Sequence, residues 1–244
     1  MVFGPEGAPT AHLVHGWAGW WQQLAAHVPA LLDAGYRVVA HDAPSHGSSR
    51  PGRHGPRSTT LLEIADAFTA VVHQQGPADL VVAHSLGATA TMWASRHGTV
   101  AGAYAFLAPM ASLVPMLDWF EHVIGLGPAT RPRLVDRVER RVGVPLTEFD
   151  ITTLAHIAHD RGATPRHLAP DSGSAPLRLL TIHDRDDVET SAQGSVDIAR
   201  AWPGGELVLT QGLGHRRIIW HPDVVERVAA FARSYRTELQ PSSG

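Results

Sequence analysis

The sequence predicts an α/β fold, a mostly parallel sheet of about six strands flanked by helices. Three observations predict it. Short apolar runs alternate with amphipathic segments along most of the chain. The runs are continuously apolar, as in strands buried on both faces, rather than alternating. One of them, Leu80-Val81-Val82, passes through a serine-bearing turn directly into good helix formers.

Taken in order, the candidate strands are residues 11–14, 37–40, 80–83, 103–107, 177–182 and 207–210. Val38-Val39 and Leu80-Val81-Val82 carry the apolar rule without interruption, and the run from Leu177 to Ile182 breaks it only at Arg178. The candidate helices are 20–33, 60–74, 87–97, 192–201 and 222–235. The last places Val224, Val225, Val228, Phe231 and Ala232 on one stripe, the spacing of a helix lying on a sheet. The rhythm breaks from Pro109 to Pro176. There the stripes are helical and strands are absent: Leu113, Met116, Leu117, Phe120, Val123 and Ile124; then Leu134, Val135, Val138 and Val142; then Phe149, Leu154, Ile157 and Ala158. A turn-rich stretch, 169–176, leads out. The expected division is a core of residues 1–108 and 176–244 with a helical cap, 109–175, inserted between two strands.

A chain of 244 residues fits one large α/β domain, and 44% apolar content suffices for its core. The net charge of -3 carries no footprint for nucleic acid. There is no cysteine, hence no disulfide framework and no thiolate metal site. The N-terminus lacks the basic-then-apolar pattern of a signal peptide. Residues 97–117 hold no charged Asp, Glu, Lys or Arg, but Pro109, Pro115, Gly98 and Gly102 interrupt them, so a buried strand and a loop are expected in place of a membrane span. The expectation is a soluble cytoplasmic protein without nucleic-acid or membrane partners.

The pentapeptide Ala83-His84-Ser85-Leu86-Gly87 sits between a strand and a helix. That is the context of a nucleophile elbow, a turn so tight that only small residues fit two positions either side of the serine. Such a serine needs a base, and the base needs a carboxylate. Two later loops offer them: His183-Asp184-Arg185-Asp186-Asp187 after one strand and Gln211-Gly212-Leu213-Gly214-His215 after the next. Both follow strand C-termini, the sheet edge where Ser85 would lie.

These motifs, with Leu13-Val14-His15-Gly16-Trp17 and His41-Asp42-Ala43-Pro44-Ser45-His46-Gly47-Ser48-Ser49, resemble the α/β-hydrolase superfamily over nearly the whole chain apart from the cap. The resemblance implies Ser85 as nucleophile, His215 as general base and Asp187 as the orienting carboxylate, with Asp186 as the alternative acid. It implies an oxyanion hole from the backbone N–H groups of Trp17 and Leu86. Trp17, Met110 and Leu113 are the candidate pocket residues. No cofactor and no metal are implied. The expected activity is cleavage of small to medium apolar carboxylic esters through an acyl-enzyme. Carbon–carbon, lactone or amide hydrolysis and acyl transfer are alternatives on the same residues, and a ligand-binding or signalling module on this scaffold is another. Relatives carry two further strands and a hairpin before the His-Gly loop, whereas here His15 follows only 14 residues. The missing strands would leave a sheet edge open, which a homodimer would cover.

Other residues have plainer readings. His84 is expected to pack away from the serine, His15 to bond loop backbone, and Trp20 and Trp21 to begin a helix. His156 and His159 lack a metal-binding pattern and read as surface histidines. Arg131, Arg133, Arg137, Arg140 and Arg141 read as a solvated helix face interleaved with Asp136 and Glu139.

Overall fold

The computed structural model describes residues 1–125, 127, 130–160 and 177–239. Every apolar run identified in the sequence forms a strand. The strands are β1 (Val2–Phe3), β2 (Thr10–Val14), β3 (Arg37–Ala40), β4 (Leu80–His84), β5 (Ala103–Leu107), β6 (Arg178–Asp184) and β7 (Glu206–Thr210). The helices are α1 (His27–Asp33), α2 (Leu61–Gln75), α3 (Leu86–Arg96), α4 (Leu113–Ile124), α5 (Arg131–Val142), α6 (Ile151–Asp160), α7 (Ala192–Ala201), α8 (Gly214–Arg217) and α9 (Pro222–Leu239).

The strands make one sheet in the order β1-β3-β2-β4-β5-β6-β7. All neighbours are parallel except β1, which runs antiparallel to β3 through Val2↔Val39 and Phe3↔Val38. This strand, absent from the sequence reading, makes the sheet seven-stranded. It covers the β3 edge that the sequence left open. Two residues are too few to show a period, so nothing in the local pattern marked them.

Successive side chains of a strand point to opposite faces, and both faces here are apolar. Leu80, Val82, Ala105, Leu107 and Ile182 join Leu31 of α1 and Val224, Val228 and Phe231 of α9 on one side. Val81, Ala83, Tyr104, Phe106 and Leu179 join Ile64 and Phe68 of α2, Met92 of α3 and Ile198 of α7 on the other. Helix α2 begins with a capping box: Thr60 accepts from the Glu63 N–H at 3.2 Å, and Glu63 accepts from the Thr60 N–H at 3.0 Å.

Helices α4 to α6 lie between β5 and β6 in the chain and extend the second layer. Leu113, Leu117, Phe149, Ile151 and Leu154 are buried in its apolar cluster. In α5 the stripe Leu134, Val135, Val138 and Val142 is half-buried against that cluster, while the arginine face is solvated, with Arg140 paired to Asp136 and Arg131 to Glu121 at 3.2 Å. The 169–176 stretch, the 175–176 boundary and the side chains of Phe120, His156, Ile157, Ala158 and His159 lie outside the described residues.

The helix expected over 20–33 is instead a 3-10 turn, Trp21–Leu24, followed by α1. Pro29 is the reason. It is tolerated in the first turn of α1, where its missing N–H is not needed, but a longer helix reaching back to Trp20 would lose a hydrogen bond there.

The strand order reverses between β2 and β4: from β2 the chain passes outward to β3, then returns to β4 on the other side. In an open parallel sheet such a switch point opens a crevice at the strand C-termini. The loops after β2 and β4 both end there, with Val14 paired to Ala83 at the last register position.

Candidate active site

Ser85 follows β4 and is the N-cap of α3, with φ 51° and ψ -123°. A non-glycine residue at positive φ is strained and persists only where its surroundings hold it. Three backbone bonds do so: Ser85 N–H to Leu107 O at 3.1 Å, and Ala88 N–H and Met110 N–H to Ser85 O at 3.1 and 3.2 Å. Glycine is needed just past this turn and on the loop that faces it. A Cβ at Gly87 would stand 2.6 Å from His15 O and 2.7 Å from Val14 O, and one at Gly16 would stand 2.9 Å from the Ser85 Cβ. The His15–Trp17 loop thus lies against the serine because position 16 has no side chain.

His215 is carried by the loop after β7, at the start of α8. Its Nε2 is 3.0 Å from Ser85 Oγ, and its Nδ1 is 2.7 Å from Asp187 Oδ2. A carboxylate can only accept, so Nδ1 carries the proton and Nε2 is left to accept from the serine hydroxyl. Asp187 side-chain atoms are fully buried. Burial alone would push its carboxyl up. Hydrogen bonds from His183 and His215, the charge on His215 and the Thr190 N–H outweigh that and hold it well below the usual carboxylate range. Its Oδ1 accepts from the N–H groups of Glu189 and Thr190 at 2.8 and 3.0 Å, and Oδ2 also accepts from Thr190 Oγ1 at 2.9 Å. A serine donating to an imidazole that is backed by a buried carboxylate can lose its proton as it attacks a carbonyl.

The neighbouring acids point elsewhere. Asp186 accepts from the Gly212 N–H at 2.9 Å. Asp184 accepts from Thr210 Oγ1 at 2.7 Å and from the N–H groups of Asp186 and Leu213, both at 3.0 Å. Together they pin the acid loop to the histidine loop, so the two expected acids divide: Asp187 meets His215 and Asp186 fixes backbone.

Leu86 is the first residue of α3, so its N–H has no helical carbonyl four residues earlier and points out of the helix terminus. The Trp17 N–H belongs to the loop held against Ser85, while the Trp17 side chain is 59% exposed. Leu113 is buried among core residues and does not face solvent. Met110 is one wall of a cavity of about 1070 Å³ beside Asp187, whose other walls include Ala111, Met116, Asp150, Glu189 and Thr190. Neither Ser85, Trp17 nor Leu113 lines that cavity. The pocket residues expected from the sequence are therefore not brought together.

His15 behaves as expected. Its Nδ1–H donates to Gly16 O at 2.7 Å and its Nε2 accepts from the Ala43 N–H at 2.9 Å, tying two loops together. His84 does more than pack. Its ring lies 4.7 Å from the His215 ring, and its Nε2–H donates to His215 O at 3.0 Å. Three residues around Asp187 were not foreseen: Thr190, His183 and Ser195. The available signal was a histidine at the end of an apolar strand, four residues before the acid.

Among the described residues, no helix is long and apolar enough to cross a membrane. The model of the alpha/beta hydrolase family matches residues 13–230. A curated relative, the non-heme chloroperoxidase CPO-A1 of Kitasatospora aureofaciens, is 35% identical over 100 residues. That match spans 38% of this chain and only 34% of the relative's length. Among solved structures, Est1E of Butyrivibrio proteoclasticus with ferulic acid bound superposes with a TM-score of 0.69 at 17% identity, covering 98% of this chain and 94% of that one. A monoacylglycerol lipase of Paleococcus ferrophilus gives 0.63 at 19% identity, covering 96% and 98%. At such identities the structures speak to the fold, and the family match to membership: this chain belongs to the alpha/beta hydrolase family.

Proposed function

We propose that the protein is a serine hydrolase that cleaves carboxylic esters through an acyl-enzyme. The observation that supports this most is the single imidazole shared by two remote groups, with His215 3.0 Å from Ser85 and 2.7 Å from Asp187. In this reading Ser85 Oγ attacks the ester carbonyl and His215 takes its proton. The tetrahedral oxyanion is held by the Leu86 and Trp17 N–H groups, a term typically worth roughly 10²–10³ in rate per donor. His215 then protonates the leaving alcohol. It next activates water, which releases the acid and frees Ser85. Asp187 keeps the imidazole in the required tautomer and stabilises its charged form.

The segment carrying α4 to α6 is proposed as the cap. It supplies Met110, Ala111 and Met116, together with Asp150 and Thr152, to a cavity of mixed polar and apolar lining beside Asp187. The name of the curated relative favours a second reading, chloroperoxidase activity, which a halide assay run beside the ester assay addresses.

The test is a panel of p-nitrophenyl esters of graded acyl length. The expected result is saturable turnover with kcat/KM highest for short to medium acyl chains and falling beyond them. Absence of turnover on every ester overturns the proposal.

A further inference from the structure

The Asp187 carboxylate serves two histidines. His183, at the end of β6, is fully buried, with its Nε2 3.2 Å from Asp187 Oδ2 and 3.2 Å from Thr190 O. Its Nδ1 is 2.6 Å from Ser195 Oγ in α7. Neither a carboxylate nor a carbonyl can donate, so the Nε2 carries the proton and the Nδ1 accepts from the Ser195 hydroxyl. Ser195 is itself fully buried, so this arm is no second nucleophile. The result is an unbroken line: Ser195, His183, Asp187, His215, Ser85.

We propose that His183, anchored by Ser195, is a positioning residue for Asp187 and sets how strongly that carboxylate holds the His215 imidazolium. The inference rests on the hydrolase reading above and deepens it. Its physical content is the sharing of one oxygen. His183, His215 and the Thr190 hydroxyl all address Oδ2, whereas the loop N–H groups of Glu189 and Thr190 address Oδ1. A donor on an oxygen draws its electron density and weakens its pull on any other donor there. With His183 present, Asp187 stays ionised but binds the His215 proton less tightly. Without it, Asp187 attracts the imidazolium more strongly, and His215 becomes harder to deprotonate. A purely structural histidine, bonded to backbone alone, would have no such lever.

The other titratable groups facing the line are few. His84 of β4 lies against the His215 ring. Asp184 of β6 is committed to Thr210 and the loop N–H groups, and Glu189 is paired at the surface with Arg216 at 3.2 Å. None of these contacts Oδ2; the Thr190 hydroxyl, 3.4 Å from His183 Nε2 and 3.1 Å from His215 Nδ1, does, so a change at His183 is read through Asp187 and the Thr190 hydroxyl beside it.

The experiment measures the titration of His215 in the full-length protein in two ways: by NMR of its ring resonances without substrate, and from the acid limb of kcat/KM for an ester. In His183→Phe the His215 acid dissociation constant should fall about threefold to tenfold, moving the limb up by about 0.5 to 1 pH unit. His183→Gln returns a donor to the same place and should recover most of the shift. Ser195→Ala frees the His183 ring while leaving the core filled, and should give a smaller shift in the same direction even if His183→Phe fails to fold. An unmoved His215 titration in folded His183→Phe, or in Ser195→Ala, overturns the inference. So does equal behaviour of the Phe and Gln variants. The NMR titration needs no turnover, so an inactive protein would sink the hydrolase reading and leave this one legible, while an active protein with an unmoved limb would sink this one alone.

Discussion

Replacing Ser85 by alanine is expected to lower kcat for an ester by on the order of 10⁶ while leaving the fold intact. The size follows from the way the three groups act together. Without Oγ, His215 has no serine proton to take and Asp187 no imidazolium to stabilise, and only the backbone donors of Leu86 and Trp17 still favour the oxyanion. His215→Ala should cost about as much, since removing either partner disables the same unit. Asp187→Asn should cost less, roughly 10⁴, because the geometry survives with the wrong imidazole tautomer. Stability should barely change in Ser85→Ala. Ser85 already holds φ 51°, a conformation as awkward for serine as for alanine, and the bonds that hold it come from the backbone. Steady-state rates beside thermal melts check both halves. A Ser85→Ala protein with ester turnover within tenfold of the parent would refute the assignment.

The second large effect is on stability at mild acidity. Burial pushes His12 and His27 down to about 4 and, with the nearby His215, pushes His84 down to about 3. All three are neutral in the folded chain near pH 6, whereas an unfolded histidine titrates near 6.5. Below 6.5 the unfolded chain therefore binds more protons, and stability falls as pH drops toward about 4. Each histidine contributes up to about 1.4 kcal/mol per pH unit in that window, so the three together approach about 4 kcal/mol per unit. Against a typical total of about 5–15 kcal/mol, unfolding should begin near pH 5. Asp187 does not offset this: its carboxyl is held low in the fold, so its contribution is lost only below the ordinary carboxylate range. Urea midpoints between pH 7 and 4.5 measure the slope. His12→Leu should flatten it by about one proton, and a pH-independent midpoint would contradict the assignment of these groups.

Most of the sheet was legible because its strands are buried on both faces. Runs such as Leu80-Val81-Val82 have no solvent side and announce themselves by composition. Ser85 and His215 were legible for a different reason: the tight elbow and the glycine-rich turn each demand a local pattern of small residues. The acid was not resolved between Asp186 and Asp187, since a turn of adjacent aspartates has no period to say which one faces the histidine. In the structure Asp187 meets His215, while Asp186 accepts from the Gly212 N–H. The pocket was least legible. Leu113 opens an apolar helical stripe, yet its own side chain is buried in the core, while Val123 and Ile124 at the far end of that stripe are exposed. The second histidine on Asp187 was hidden because its partners, Asp187 and Ser195, are fixed by how β6 packs on α7.

The most direct measurement is covalent. A fluorophosphonate probe is added to the native protein, and the labelled residue is mapped by peptide mass spectrometry. The account predicts one adduct, on Ser85, absent from Ser85→Ala and formed at least about 10³-fold more slowly in His215→Ala. A protein that stays unlabelled, or one that takes the label on another serine while Ser85 remains free, would contradict it.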